Sequence, residues 1–142
     1  METFDIKKGK NLGKLIFQDN VNKTFENQQI ALNAFLHAAD ISAPSKDFKI
    51  AEKWKTRVYE EFFNQGDKEK EMGVNVSLLC DRQTTNVNKS QVGFINFIVL
   101  PLFEAVADFE PKSVVFCDNL KANLKKYQSF VNEEEAKEKK SG

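Results

Sequence analysis

The sequence predicts an all-α protein, a compact bundle of several helices. Two observations support this class. Four apolar stretches repeat their large residues every three or four positions, which is the spacing of a helix face, and no stretch keeps the strict alternation of a half-buried strand. The chain has 142 residues, of which 41% are hydrophobic and 30% charged, and these values are typical of one globular domain.

Two helices are predicted in the first half of the chain. The first begins near Thr24 and ends at Ala43-Pro44, because the residue before a proline avoids the helical conformation. The second runs from Phe48 to Gln65 and is amphipathic, with a polar face that we expect to be solvated. That face consists of Glu52, Lys53, Lys55, Glu60 and Glu61. Gly66-Asp67 then predicts a break, and a short charged turn closes at Gly73.

The second half of the chain predicts a loop and two further helices. Residues 74–85 are expected to form the loop, and a long apolar helix follows from Asn86 to Phe109 with a kink at Pro101. The last helix begins near Ser113 and ends near Val131. The domain prediction is therefore an irregular lead-in at 1–23, a helical domain at 24–131 and a charged tail at 132–142 that has nothing to bury.

Composition excludes several classes of function. Lysine plus arginine equals aspartate plus glutamate, which gives a formal net charge of zero, so we expect no nucleic-acid partner. Apolar stretches such as 92–106 are interrupted before the ~20 residues that a membrane span needs, and the first residues lack the pattern of a signal peptide. We therefore expect no membrane partner, a cytoplasmic location, and free thiols at Cys80 and Cys117.

Individual polar residues have structural explanations. His37 is the single histidine of the chain, and its apolar neighbours favour a hydrogen-bonded core residue over a ligand. Asp40 is expected to bond a nearby hydroxyl or amide at the helix end. Gln91 fits this interpretation least well, because a buried amide needs partners and is bonded either to the protein or to a ligand.

Four segments taken together are far more specific than these residues alone. They are His37–Ser42, Glu60–Asp67, Cys80–Arg82 and Ser90–Ile95. In order and spacing they resemble the C-terminal half of the class I 3′,5′-cyclic nucleotide phosphodiesterase catalytic domain. The resemblance extends from about Gln28 to Val131.

The resemblance implies a fold, a chemistry and a set of site residues. In that family an all-helical domain holds zinc and magnesium, which clamp the cyclic phosphate and activate water. Asp40 matches a metal-binding aspartate, Gln91 matches the glutamine that bonds the purine edge, and Phe94 matches the aromatic residue that stacks on the base. Further pocket positions are matched by Val58, Phe62 and Leu79.

The same comparison shows what the chain lacks. The family's histidine general acid, two metal-binding histidines and second metal-binding aspartate belong to motifs upstream of the segment resembled here, and residues 1–27 contain no histidine. Ala43 stands where the family usually has asparagine, and Asn96 stands where it usually has aspartate. We therefore predict no catalytic residue in this chain and a single remaining metal-ligand position at Asp40, with zinc and magnesium expected only if another half completes the site.

Three functions remain open from the sequence. The first is a non-catalytic helical subunit with a structural or regulatory role in a larger assembly. The second is the C-terminal part of an active enzyme that hydrolyses cyclic AMP or cyclic GMP to the 5′-monophosphate. Its N-terminal half is then either missing from this sequence or carried by a companion chain. The third is a sensor that binds a purine nucleotide without cleaving it. The expected partners are other protein chains of a larger assembly and a cyclic nucleotide, and a cytoskeletal or ciliary assembly is one expected location.

Overall fold

The computed structural model describes the chain from Phe25 to Ser141, so the predicted lead-in at 1–23 lies outside the described residues. Its α-helices are α1 (Phe25–Asp40), α2 (Phe48–Glu71), α3 (Val87–Phe94), α4 (Leu100–Phe109) and α5 (Val114–Ser141). A π-helical segment, Ile95–Val99, joins α3 to α4, and 3₁₀ turns occupy Ala43–Ser45 and Pro111–Ser113. No strand occurs within 25–141. The all-α prediction is confirmed.

The long helix α5 is the element against which most of the others pack. It contacts α3, α4 and the 3₁₀ turn Ala43–Ser45, while α1 packs on α4. The core between them is formed by Ala38, Ile95, Val99, Leu102, Phe103, Val106, Cys117, Leu120 and Tyr127. These residues recur at helical spacing on α4 and α5, so the apolar periodicity of the sequence corresponds to the buried faces.

Two asparagines of α5 hold the turn between α1 and α2. The side-chain amide of Asn123 donates to the carbonyl oxygens of Pro44 and Lys46, at 2.9 and 2.8 Å. Asn119 donates to the carbonyl of Ser45 at 3.0 Å. Because Asn123 is 3% exposed and Ser45 is 0% exposed, these bonds satisfy carbonyls that water does not reach.

Helix α2 continues through the predicted break at Gly66. That prediction is wrong, because Gly66 is a buried helical residue and is needed for close packing. A Cβ atom at this position would overlap the backbone carbonyl of Cys80. The helix therefore extends past the predicted end at Gln65 to Glu71, and Gly73, where the predicted charged turn closes, has a backbone φ of 69°.

The segment between α2 and α3 is a loop, as predicted, and polar contacts tie it to α2. Glu69 accepts hydrogen bonds from the Ser77 backbone and hydroxyl, at 2.6 and 2.7 Å, and the backbone bond is the largest cause of its lowered pKa. Lys70 donates to Asp81 at 2.8 Å and thereby lowers the pKa of that carboxyl. The loop is therefore fixed against the last turns of α2.

The sequence predicted a kink at Pro101, and the structure has a π-helical segment, Ile95–Val99, shortly before this proline. A proline removes one helical hydrogen bond, and a wider π turn is one way to accommodate that loss. The stretch Val87–Phe109 is long and apolar enough to span a membrane by length and composition, contrary to our sequence expectation. Core helices of soluble proteins pass the same test when they are mostly buried. Here 28% of the apolar window is buried inside the protein, including Ile95 and Val99.

The C-terminal segment differs from the unpacked tail that we expected. Helix α5 continues past Val131 to Ser141. Glu134, within this extension, is half-buried and accepts hydrogen bonds from Asn86 and Asn88. Side-chain contacts of this kind join residues that are almost fifty positions apart and leave no periodic signal in the sequence.

Gly66→Ala is expected to lower the free energy of unfolding by about 1–3 kcal/mol, since the new methyl group collides with the Cys80 backbone. Gly93→Ala is the matched control, because no atom lies within 4 Å of its added Cβ, and helix propensity there favours alanine by about 0.5–1 kcal/mol. Urea unfolding followed by circular dichroism measures both. Equal effects of the two substitutions would contradict the close approach at Gly66.

Candidate functional site

A cavity of about 330 Å³ lies where the end of α1, the middle of α2, the loop before α3 and α3 itself meet. The structure brings all six of the sequence-predicted site residues to this one cavity. They are Asp40, Val58, Phe62, Leu79, Gln91 and Phe94. A volume of this size suits a small organic ligand.

Gln91 is the polar residue that distinguishes this cavity. It is 6% exposed, and its side-chain amide forms no hydrogen bond with any other residue within the described part of the chain. The sequence left two choices for this amide, a partner in the protein or a ligand. An amide in such a position keeps both a donor and an acceptor available for a bound molecule.

The walls around Gln91 are mainly apolar. Phe94 lies three residues further along α3 and therefore on neighbouring helix surface, while Val58 and Phe62 come from α2. Leu79 enters from the loop with a backbone φ of 68°, a left-handed conformation that non-glycine residues seldom adopt. Strained residues of this kind concentrate at functional sites, and here the strain places an apolar side chain in the cavity wall.

Eight further lining residues were not identified as site residues from the sequence, and four of them bear on the chemistry of the cavity. These four are Trp54, Lys55, Tyr59 and Ser90. Burial is the main cause of the raised pKa of Tyr59, and a hydrogen bond with Ser90 opposes it. Trp54 and Tyr59 belong to the apolar stripe that makes α2 amphipathic, and the sequence did not link this stripe to a ligand site. That stripe was the signal that these residues face a cavity.

Lys55 was assigned to the solvated face of α2, and this assignment is wrong. Its side chain is 7% exposed and forms an ion pair with Glu52 at 2.8 Å. The same ammonium group donates to Asn88 Oδ1 at 3.1 Å and lies 4.8 Å from the centre of the Tyr127 ring. A buried lysine is stable only with such partners, and only the tertiary structure supplies them.

Tyr127 lies beneath this charged group. Burial, and then the neighbouring Glu52 carboxylate, raise its pKa. Neither the Tyr127 hydroxyl nor Glu52 Oε2 has a hydrogen-bond partner in the described part of the chain. Because its pKa is raised, Tyr127 stays neutral. Its ring face contacts the Lys55 ammonium group.

Asp40 lies on the exposed rim of the cavity at the end of α1. Residues 25–141 contain no group of three or more histidine, cysteine, aspartate or glutamate side chains that could hold a metal ion. His37, expected in the core, is exposed on α1. The residues present do not form a two-metal site, because a lone carboxylate supplies one ligand where at least three are needed.

Comparison with known proteins identifies similar chains. A family model described as 3′5′-cyclic nucleotide phosphodiesterase matches residues 3–120. The 3′,5′-cyclic-AMP phosphodiesterase 4C of Rattus norvegicus is 40% identical over 128 residues, which are 89% of this chain and 23% of that protein. The dual specificity calcium/calmodulin-dependent 3′,5′-cyclic nucleotide phosphodiesterase 1B of Bos taurus is 52% identical over 84 residues, which are 59% of this chain and 16% of that protein.

A solved structure shows the same fold. The phosphodiesterase domain of Salpingoeca rosetta rhodopsin phosphodiesterase superposes with a TM-score of 0.84 at 24% identity, covering 96% of this chain and 42% of that one. This chain therefore spans less than a quarter of the length of the two curated relatives and less than half of the solved domain.

Lys55→Met is expected to lower the free energy of unfolding by about 1–3 kcal/mol, since it leaves the Glu52 carboxylate and the Asn88 carbonyl without their partner. Lys53→Met is the control, because Lys53 is exposed two positions earlier on α2. Thermal unfolding of both variants measures the difference. A Lys55 variant as stable as the Lys53 variant would show that the ion pair contributes nothing.

Proposed function

Because the chain belongs to the 3′5′-cyclic nucleotide phosphodiesterase family, we propose that its cavity binds the purine base of a cyclic nucleotide and that the chain by itself does not hydrolyse the nucleotide. The observation that carries this proposal is the buried, unbonded amide of Gln91 in an apolar cavity beside Phe94. The two parts of the proposal rest on different residues and are tested separately.

The cavity suits a purine for chemical reasons. A purine presents two flat π-faces, which apolar side chains such as Phe94 and Val58 accept. Its edge carries hydrogen-bond donors and acceptors side by side, and the Gln91 amide offers one of each. Both cyclic AMP and cyclic GMP satisfy this description, so both are used in the tests below.

The absence of hydrolysis by the chain alone follows from its sequence. One histidine, His37, is present in all 142 residues, whereas cleavage of a phosphodiester by this family's chemistry needs several metal ligands and a general acid. Asp40 would contribute a single carboxylate to zinc or magnesium. The remaining ligands would have to come from outside these 142 residues.

Exposed apolar residues near Asp40 support a protein partner. Leu32 and Leu36 precede Asp40 on α1 at intervals of four residues, so the three share one helix face, and the two leucines are 62% and 73% exposed. Phe97 is 70% exposed on the π-helical segment. Covering apolar area contributes about 25 cal/mol per Å². We therefore propose a structural or regulatory role within a larger cytoplasmic assembly.

A second candidate is the C-terminal part of an active phosphodiesterase. It is favoured by the position of Asp40 on the rim of the same cavity as Gln91, where a carboxylate would lie beside a bound nucleotide. In this case the exposed apolar residues of α1 are covered by the half of the domain that supplies the histidines. The two candidates share the base-binding cavity and differ in whether the assembled complex is catalytic.

Base binding is tested by equilibrium dialysis of the chain against cyclic AMP and cyclic GMP. Gln91→Ala is expected to weaken binding by about 1–3 kcal/mol, or roughly 5-fold to 150-fold, since a buried polar partner of the base is lost. Gln128→Ala, at an exposed glutamine of α5, is the control and should bind as the unmodified chain does. No measurable binding of either nucleotide by the unmodified chain would eliminate base binding and leave only the assembly role.

Hydrolysis is tested with zinc and magnesium supplied. The chain alone is expected to release no 5′-monophosphate from cyclic AMP or cyclic GMP, because it lacks the histidines. Metal-dependent turnover that disappears in Asp40→Ala would refute this expectation. The second candidate predicts that a polypeptide carrying the N-terminal half of a related domain restores turnover, and that Asp40→Ala abolishes the restored activity.

A further inference from the structure

The extension of α5 beyond Val131 contacts the start of the helix that carries Gln91. Glu134 Oε2 accepts a hydrogen bond from Asn86 Nδ2 at 3.0 Å, and Glu134 Oε1 accepts one from Asn88 Nδ2 at 2.7 Å. Its neighbours Glu133 and Glu135 are exposed, whereas Glu134 is half-buried. The extension lies beyond residue 120, where the match to the family model ends.

The first of these bonds fixes the N-terminus of α3. Asn86 is the N-cap residue of this helix, and its Oδ1 accepts from the Lys89 backbone amide at 2.7 Å. Because Glu134 holds the amide nitrogen of the same side chain, the cap is restrained at both of its polar atoms. An N-cap stabilises the first turn of its helix, so this restraint acts where α3 begins.

The second bond leads into the cavity wall. With its Nδ2 bonded to Glu134, Asn88 turns its Oδ1 towards Lys55, which donates to it at 3.1 Å. Lys55 lines the cavity and is paired with Glu52 at 2.8 Å. A continuous series of polar contacts therefore runs from α5 through Asn88 to the cavity.

We propose that Glu134 is a positioning residue for base binding, which sets the orientation of α3 and hence of Gln91 and Phe94. This proposal rests on the proposed base-binding function. Glu134 touches no ligand. It acts through Asn86 and Asn88, whose amide groups both donate to one carboxylate, and charge-assisted hydrogen bonds of this type are the stronger ones.

Hydrogen–deuterium exchange measured by mass spectrometry tests the effect on α3 without any ligand. In Glu134→Ala the backbone amides of residues 87–94 are expected to exchange at least about 5-fold faster, because the N-cap of α3 loses a hydrogen bond that restrains it. The backbone amides of α1 should keep their exchange rates. Glu135→Ala is the matched control, since it makes the same change of residue at an exposed neighbouring position of the same helix.

Equilibrium dialysis with cyclic AMP tests the effect on the cavity, at a temperature where thermal unfolding shows every variant to be folded. Glu134→Ala is expected to weaken binding at least about 5-fold relative to Glu135→Ala. In an Asn88→Ala background the same substitution should have less than half of this effect, because residues in one hydrogen-bond network are not additive.

The outcomes separate this proposal from the function on which it rests. If the unmodified chain binds cyclic AMP and the Glu134 and Glu135 variants bind it equally, the positioning role is refuted while base binding stands. Faster exchange in α3 with unchanged affinity likewise refutes it and leaves Glu134 a purely structural residue. If the unmodified chain binds no nucleotide, base binding and its positioning by Glu134 fall together, and the exchange data decide only whether Glu134 fixes α3.

Discussion

Three consecutive backbone carbonyls, those of Pro44, Ser45 and Lys46, are bonded by side-chain amides of α5, and the geometry of the cavity depends on this contact. A buried carbonyl without a partner costs about 1–3 kcal/mol, so the turn between α1 and α2 is held at one position along α5. Helix α3 packs on the same helix. The turn and α3, which both border the cavity, therefore take their position from α5, although no residue of α5 lines it.

The helical fold and the six cavity-lining residues could both be predicted from the sequence, but for different reasons. Helices such as α2 and α4 have a buried face, which produces a repeat that can be counted along the chain. The cavity residues produce no repeat, and they were found because four short segments resembled one family in order and spacing. Asp40, Leu79 and Gln91 come from three separate elements, and no local pattern would have grouped them.

The features that were missed depend on contacts between distant segments. Gly66 is indistinguishable in sequence from a helix-ending glycine, and only the approach of the Cys80 backbone explains its place inside α2. Lys55 has charged neighbours on a predicted solvent face, yet Asn88 and Tyr127 surround it. Glu134 is one of several glutamates in a charged run. In each case the partner lies on another element. The interaction that determines where the residue lies therefore forms only when the chain folds.

The π-helical segment Ile95–Val99 makes chain length a constraint even at its exposed positions 96 and 97. A π turn is equivalent to an α-helix with one residue inserted, and each residue of an α-helix turns the chain by about 100°. Here Gln91 faces the cavity on one side of the segment and Val106 faces the core on the other. Asn96 and Phe97 are exposed, so substitutions are tolerable at both sites, whereas deleting either residue would rotate one of the two faces out of register. Natural variation should therefore change the number of residues in this stretch rarely, while Ile95 and Val99 stay apolar because both are fully buried.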